Sequence, residues 1–477
     1  MLLPLLVLIP AIGAAFAYTI RSNRNRALLL PLVSTLHLAL VLWMLAHPAP
    51  SAFAGWLHLD PLAKIVLLTV SVLYFCCSLY APGYLALRPD RPSRVFCACL
   101  LFVLGTMSLV IVSQHLGLLW VGMEATSLLS APLLFFNRTP RSLEAAWKYL
   151  LLCSVGIALA LLGSFFLAYA ALVGGSRSSL LIDDLTAVAP MLSKPWLHAA
   201  FATLVVGYGT KMGLAPMHSW KPDAYGEAPG LAGAVLAGGL TSCAFCAILR
   251  FCTIMYAAGE SYYTNRTLIM MGLISMAFAA VFVVRQQDYK RMLAYSSVEH
   301  MGILVIGIGL GGIGVFAALL HLMNNAFIKG VLFLSSGNIH RAYNSKSTHD
   351  VSGALRRVPI SAALFLAGFF AITGSPPFGA FISEFTIARA AFENGRGWVG
   401  VLYLATLLIV FMGMGTTVLA VVQGTPSSSA STQYKDTPQT VVPILILAAL
   451  ALMLGLYIPT PLITMLQEAA RYVEGTK

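Results

Sequence analysis

Apolar runs of about 20 residues follow one another from end to end of this chain, joined by short polar links. A run of that length crosses the hydrocarbon core of a bilayer as a helix. In lipid every backbone donor and acceptor must be satisfied within the chain, so the expected fold is an all-α polytopic membrane protein. Hydrophobic residues make up 59% of the sequence and Asp, Glu, Lys and Arg only 10%, against roughly 25% charged in soluble domains. The net charge of +12 is dispersed over short loops. That is the positive-inside pattern of a membrane protein embedded in a lipid bilayer, and it argues against nucleic acid as a partner.

We place fourteen spans at about 1–20, 27–46, 62–81, 94–112, 115–136, 143–173, 197–216, 229–257, 265–284, 292–310, 313–337, 358–390 (broken), 398–423 and 441–461. With the N-terminus outside, the inner loops hold 17 basic residues, Lys221 among them, and the outer loops 6, Arg177 and Lys477 among them. That split expects both termini on the outer side. The first run has no basic lead-in and its arginines follow it, so we read it as a retained span rather than a signal peptide. The links are too short for a soluble domain, and 425–439, rich in Ser, Thr and Gln, is expected to be a flexible connector.

All eight cysteines lie inside apolar runs, and the lone Cys243-Ala-Phe-Cys246 spacing has no second pair beside it. We read them as small core residues, with no metal site. The chain has no P-loop or dinucleotide fingerprint either, so no cofactor is expected in it, and any linked redox chemistry belongs to partners.

Two stretches depart from this apolar monotony. Gly209-Thr-Lys211-Met-Gly-Leu-Ala-Pro216 and Ile372-Thr-Gly-Ser-Pro376-Pro377-Phe-Gly-Ala-Phe-Ile-Ser-Glu384 each set one charge beside a Gly/Pro break. Ionisable groups at that depth are costly and mark ion pathways, and paired interruptions in two halves of a chain point to a midplane site. Proline frees backbone groups that a water-lined cavity can satisfy, and a buried lysine changes protonation state readily. The other candidates follow from depth and spacing. Glu124 sits mid-span, in a relay or in a structural ion pair. His321, Asn325 and Lys329 fall on one helix face at intervals of four, a stripe able to hold water. Lys148 and Lys329 are near enough to a membrane face to snorkel. Glu299 and His300 are adjacent, so at most one is expected to point into a given channel. Arg250 reads as an anchor near the outer end of its span. Asp223, Tyr225 and Glu227 fall in an inner connection that either shapes a water inlet or forms a rigid turn.

Charge positions also repeat. Glu124 and Glu299 differ by 175, Lys211 and Glu384 by 173, and Lys148 and His321 by 173. Each unit holds five spans, an odd number, so the two must be inverted in the membrane. The expected organisation is a three-span segment over 1–93, a first five-helix repeat over 94–257, a second inverted repeat over 265–423, and a last span with a short tail over 441–477.

Taken together, Trp120-Val-Gly-Met-Glu124, the run from Lys211 to Pro229, the run from Asp288 to Gly302, His321 to Lys329, and Gly374 to Phe385 resemble the antiporter-like subunits of respiratory complex I. That family includes Mrp sodium/proton antiporter subunits and the membrane arms of energy-converting nickel–iron hydrogenases. Ser296-Ser-Val-Glu-His-Met-Gly302 is most similar to the hydrogenase-4 and formate hydrogenlyase branch. The resemblance implies a prokaryotic cell-membrane protein with broken seventh and twelfth helices, partnered by subunits that carry iron–sulfur or nickel–iron centres. It implies a proton relay through Glu124, Lys211, the His321 and Lys329 stripe and Glu384, to which Lys148 and His300 are added as candidates from their positions in the spans. Two positions depart from the family pattern: Ser242 where many relatives carry a bridging lysine, and Asn325 where a second histidine is frequent. Both are expected to order water in place of a charge. The reading is a proton-translocating subunit of a redox-driven complex. Its rivals are a sodium/proton antiporter subunit and a non-conducting structural subunit.

Overall fold

The computed structural model describes residues 2–47, 50–176, 179–426 and 434–475. Arg177, Lys477 and the 427–433 part of the expected connector lie outside these. Among the described residues there is no sheet, only isolated bridges between loops. In chain order the helices are α1 (Leu5–Thr19), α2 (Asn23–Ala46), α3 (Pro61–Ala86), α4 (Arg94–Val112), α5 (Leu116–Leu134), α6 (Pro140–Val173), α7 (Ile182–Ala187), α8 (Lys194–Met212) and α9 (Trp220–Glu227). They continue with α10 (Gly230–Ala234), α11 (Thr241–Ala257), α12 (Ser261–Val283), α13 (Tyr289–Leu310), α14 (Ile313–Tyr343) and α15 (Ala354–Arg357). The last five are α16 (Pro359–Ile372), α17 (Gly379–Glu393), α18 (Gly397–Val422), α19 (Pro438–Leu456) and α20 (Thr460–Glu474). A π-helical turn over Val235–Leu240 joins α10 to α11 into one rod. Eleven of these rods are long and apolar enough to cross a membrane, and α1 and α16 are shorter apolar helices.

Local chemistry sets the helix starts. Asp60, Thr139 and Asp288 accept from backbone amides of the first turns of α3, α6 and α13, and a proline follows both Asp60 and Thr139. Such caps satisfy donors that lipid cannot. The rod α10–α11 and helices α13 and α14 form the centre and are almost wholly buried, whereas α2, α6, α18 and α19 turn apolar faces outward. The buried cysteines are all unpaired thiols in the helix packing.

The links at the two ends of the helices carry different polar clusters. Lys148, Asp223, Arg291 and Lys346 gather around one open polar cavity of about 660 Å³. At the opposite end, Glu260 takes Lys194 and His198 at 2.8 Å each. The Lys194 hydrogen bond first, and His198 second, hold that carboxyl below its usual range. At the same end Arg250 and Asp60 form a fully buried ion pair at 3.0 Å. Arg250 also donates to the carbonyls of Val110, Ile111 and Ser113, closing the end of α4. The expected surface anchor is therefore an internal clamp.

Two further expectations are corrected. Lys221, counted with the inner loops, is completely buried, because the polar-looking run after Pro216 folds into α9 and turns back into the core. The short tail contains a regular helix, α20, whose Leu466, Ala469, Ala470 and Val473 pack inward. Glu474 at its end accepts from the Gly312 amide at 2.6 Å.

Candidate functional site: a buried polar line

The two breaks are built alike. At Gly213 and Gly374 the backbone adopts φ of 84° and 64°, a region open to glycine. A side chain at Gly213 would collide with Lys221, and one at Gly374 with the Glu384 carboxylate. Each glycine thus makes room for an ionisable group. The Ala215–Pro216 and Pro376–Pro377 peptide bonds are both cis. Pro216, Pro376 and Pro377 themselves face outward, not into a cavity. Their rings break the helices from the outside while the ionisable groups turn in. Freed backbone groups at the first break are satisfied locally. The Ala215 amide donates to Ser275 Oγ at 2.9 Å, and Trp220 Nε1 donates to the Thr210 carbonyl at 2.8 Å.

Around the first break, Lys211 is fully buried and donates to Ser127 Oγ at 2.7 Å and to the Tyr149 hydroxyl at 2.6 Å. Tyr149 shares a 2.6 Å hydrogen bond with Ser130. Glu124 lies one turn from Ser127 on α5 and accepts from Ser154 Oγ at 2.9 Å, while its second oxygen has no protein partner. No direct Glu124–Lys211 ion pair forms within 4.0 Å. The ammonium is held by hydroxyls, which keeps its proton exchangeable without stranding a paired anion. Lys148 sits at the rim of the polar cavity shared with Asp223, Arg291 and Lys346, nearly half exposed, between Glu144 at 2.6 Å and Asp223 at 3.0 Å. The structure places it at the mouth of the line rather than inside it.

Around the second break the groups converge. His300 Nδ1 and His321 Nε2 are 3.0 Å apart, and His321 Nδ1 meets Ser383 Oγ at 3.0 Å. The Glu384 carboxylate lies 4.0 Å from His300 Nδ1, and Glu299 lies 3.9 Å from His300 Nε2. Glu299 and His300 therefore occupy one cluster, against the expectation from adjacency, because both side chains bend toward the same buried space. Lys329, fully buried, donates to Ser296 Oγ at 2.9 Å. Asn325 is buried between His321 and Lys329 on the α14 stripe, and its side-chain oxygen has no protein partner. Buried polar atoms of this kind are the positions that ordered water satisfies.

His300, His321 and Glu384 each bring one nitrogen or oxygen within 4.8 Å of the others. The nitrogens that would face an ion are already hydrogen-bonded to each other, the arrangement of a proton-passing pair. Ser242 is buried on α11 beside the π-helical turn, and its hydroxyl donates to the Gly238 carbonyl at 2.6 Å. Its proton is used by its own helix.

Sequence reasoning missed Lys221 and Asp60. Asp60 carried a local signal, an aspartate immediately before Pro61 and an apolar run. Its partner Arg250 lies 190 positions away, a separation that spacing rules do not reach.

Residues 113–411 match the family described as NADH:quinone oxidoreductase/Mrp antiporter, transmembrane. A hydrogenase-4 component F homolog of Methylacidiphilum infernorum is 33% identical over 439 residues, covering 89% of this chain and 90% of that one. The NADH-quinone oxidoreductase subunit N of Desulforudis audaxviator is 29% identical, covering 85% and 84%. In fold, the chain superposes on a protein from an archaeal membrane-bound sulfane sulfur reductase complex with a TM-score of 0.86, at 23% identity, covering 99% of this chain and 97% of that one. The fold, the paired breaks and these matches agree, and the chain belongs to the NADH:quinone oxidoreductase/Mrp antiporter transmembrane family.

Proposed function

We propose that this chain carries protons across a prokaryotic cell membrane as a subunit of a multi-subunit redox-driven complex of the hydrogenase or formate hydrogenlyase type. The observation that carries the reading is the line of buried ionisable groups between the two breaks, in which Lys211 and Lys329 are held by hydroxyls, His321 by an imidazole and a hydroxyl, and Glu384 and Glu299 approach only His300, at 4.0 and 3.9 Å. Structural ion pairs satisfy charge by neutralising it, as Asp60 and Arg250 do. A line of hydroxyl-held lysines and stacked histidines instead offers successive sites between which a proton moves. Fourteen crossings result if α1 and the broken pairs α8–α9 and α16–α17 are each one crossing beside the eleven long rods. In this reading residues 94–257 and 265–423 are two inverted repeats. The cavity at Lys148 and Asp223 faces the cytoplasm, and both termini lie outside. The relay runs Glu124, Lys211, Lys329, His300, His321 and Glu384, with Lys148 at the inlet and Asn325 ordering water. A redox event in a partner subunit carrying iron–sulfur or nickel–iron centres drives it by shifting charge near Glu124.

The test is to isolate the native complex through a tag on this chain, identify its co-subunits, assay bound iron and nickel, and reconstitute it in sealed vesicles. We expect metal-bearing partners and proton movement that persists without sodium. Isolation with no metal-bearing partner, together with proton movement that needs sodium, would favour a sodium/proton antiporter subunit. Assembly with metal-bearing partners but no proton movement through this chain would favour a non-conducting scaffold.

A further inference from the structure

The relay above leaves a gap between Lys211, held by α5 and α6, and Lys329, held by α13. Ser242 donates its only proton to its own helix. A different residue occupies the space between the halves. Lys221 on α9 is fully buried, and its ammonium donates to Ser297 Oγ on α13 at 2.9 Å. The neighbouring residue on α13, Ser296, accepts from Lys329 at 2.9 Å. Two buried lysines from different helices thus meet two adjacent hydroxyls. No carboxylate lies within 4.0 Å of either ammonium among the described residues.

The other side of Lys221 leads back to Lys211. Trp220, the preceding residue, packs on the Tyr149 ring at 5.0 Å, and Tyr149 is the phenol that accepts from Lys211. Tyr225, one turn further along α9, lies 5.8 Å from the Lys221 ammonium, and its hydroxyl is buried without a protein partner. Gly213 contributes by what it lacks, since any side chain there would fill the volume of the Lys221 stem.

We propose that Lys221 is a proton carrier between Lys211 and Lys329, releasing its proton through the Ser297 hydroxyl that it meets on α13, one residue from the Ser296 hydroxyl that holds Lys329. A serine hydroxyl donates one proton and accepts others, so Ser297 can take the Lys221 proton, give up its own and end as it began. A lysine held by hydroxyls releases its proton to them as a neutral amine and takes the next from the Lys211 side. This rests on the proton-carrying reading above and sets a titratable group between Lys211 and Lys329.

The experiment uses the tagged native complex sealed in potassium-loaded vesicles, with proton uptake driven by a valinomycin potential and read by an entrapped pH dye. Lys221→Met keeps the stem and removes the proton site. It is expected to slow uptake by about 100-fold, the lower end of what a positioned acid–base group contributes. Lys221→Arg keeps a charge and hydrogen-bond donors but does not release its proton, so it is expected to be blocked as well. Undiminished uptake by Lys221→Met, or restored uptake by Lys221→Arg, would overturn the proposal, the latter by showing that only a fixed charge is needed. Should Lys221→Met fail to assemble, Ser297→Ala decides: a fall of about tenfold is expected, and an unchanged rate overturns the hydroxyl hand-over. Lys211→Met run in parallel separates the two readings. If it is blocked while Lys221→Met conducts, only this bridge is wrong. If Lys211→Met also conducts, the proton-carrying reading itself fails.

Discussion

Lys211→Met should abolish redox-coupled proton pumping by the reconstituted complex, with a fall of about 100-fold or more, while leaving the complex assembled. The reason is local. The Lys211 ammonium reaches Ser127 and Tyr149 through a stem enclosed by the packing of α5, α6 and α8. Methionine fills nearly the same length with an adaptable apolar chain, so the helices keep their contacts. What is lost is the titratable ammonium that Ser127 and Tyr149 hold at the first break. Two hydroxyls, each able to bond elsewhere, are left behind, and Tyr149 still has Ser130. The cost therefore falls on transport rather than on stability. Undiminished pumping by an assembled Lys211→Met complex would show that the first break is structural.

The second large effect concerns stability and is independent of transport. Asp60→Ala should destabilise the protein by about 3–5 kcal/mol, the usual cost of leaving a buried charge without its partner. Arg250 is completely enclosed, and among the described residues Asp60 is the one carboxylate that pairs with it, at 3.0 Å. The same carboxylate accepts from Gln114 at 2.5 Å and caps α3 through the Ala63 amide at 2.6 Å, which adds about 1 kcal/mol of lost capping. Because the unpaired guanidinium is the main cost, Asp60→Ala combined with Arg250→Met should recover part of the loss. Thermal unfolding of the purified complex in detergent checks both. An unchanged transition in Asp60→Ala would contradict the clamp, and so would a double variant weaker than Asp60→Ala by the full cost of a second independent lesion.

The series of spans was legible because the bilayer imposes one length and one polarity on every crossing. The breaks were legible because a charge beside Gly and Pro is rare in such runs. The α9 segment was not. His218-Ser-Trp-Lys-Pro-Asp reads as a polar loop, and nothing local reveals that a neighbouring helix supplies Ser297 for Lys221. Charge alone does not show what holds Lys211, because its partners are hydroxyls of Ser127 and Tyr149, which carry no charge signature. Helix α20 did carry a signal: Leu462, Met465, Leu466, Ala469, Ala470 and Val473 recur at three- and four-residue spacing. It lies beyond the last expected span, 441–461, in the expected short tail. Glu299 shows the limit of helix-face reasoning, since a long side chain can bend across the angle that separates neighbours on a helix.

The central claim is that Lys211 and Glu384 stand on one path rather than on two independent half-channels. The most direct measurement is potential-driven proton uptake by vesicles containing the native complex, compared for Lys211→Met, Glu384→Gln and their combination. Groups in series act as a unit, so either single variant should stop uptake and the double variant should be no slower than the slower single. Two parallel paths would instead leave about half the uptake in each single variant and lose the rest only in the combination; that result would contradict the account.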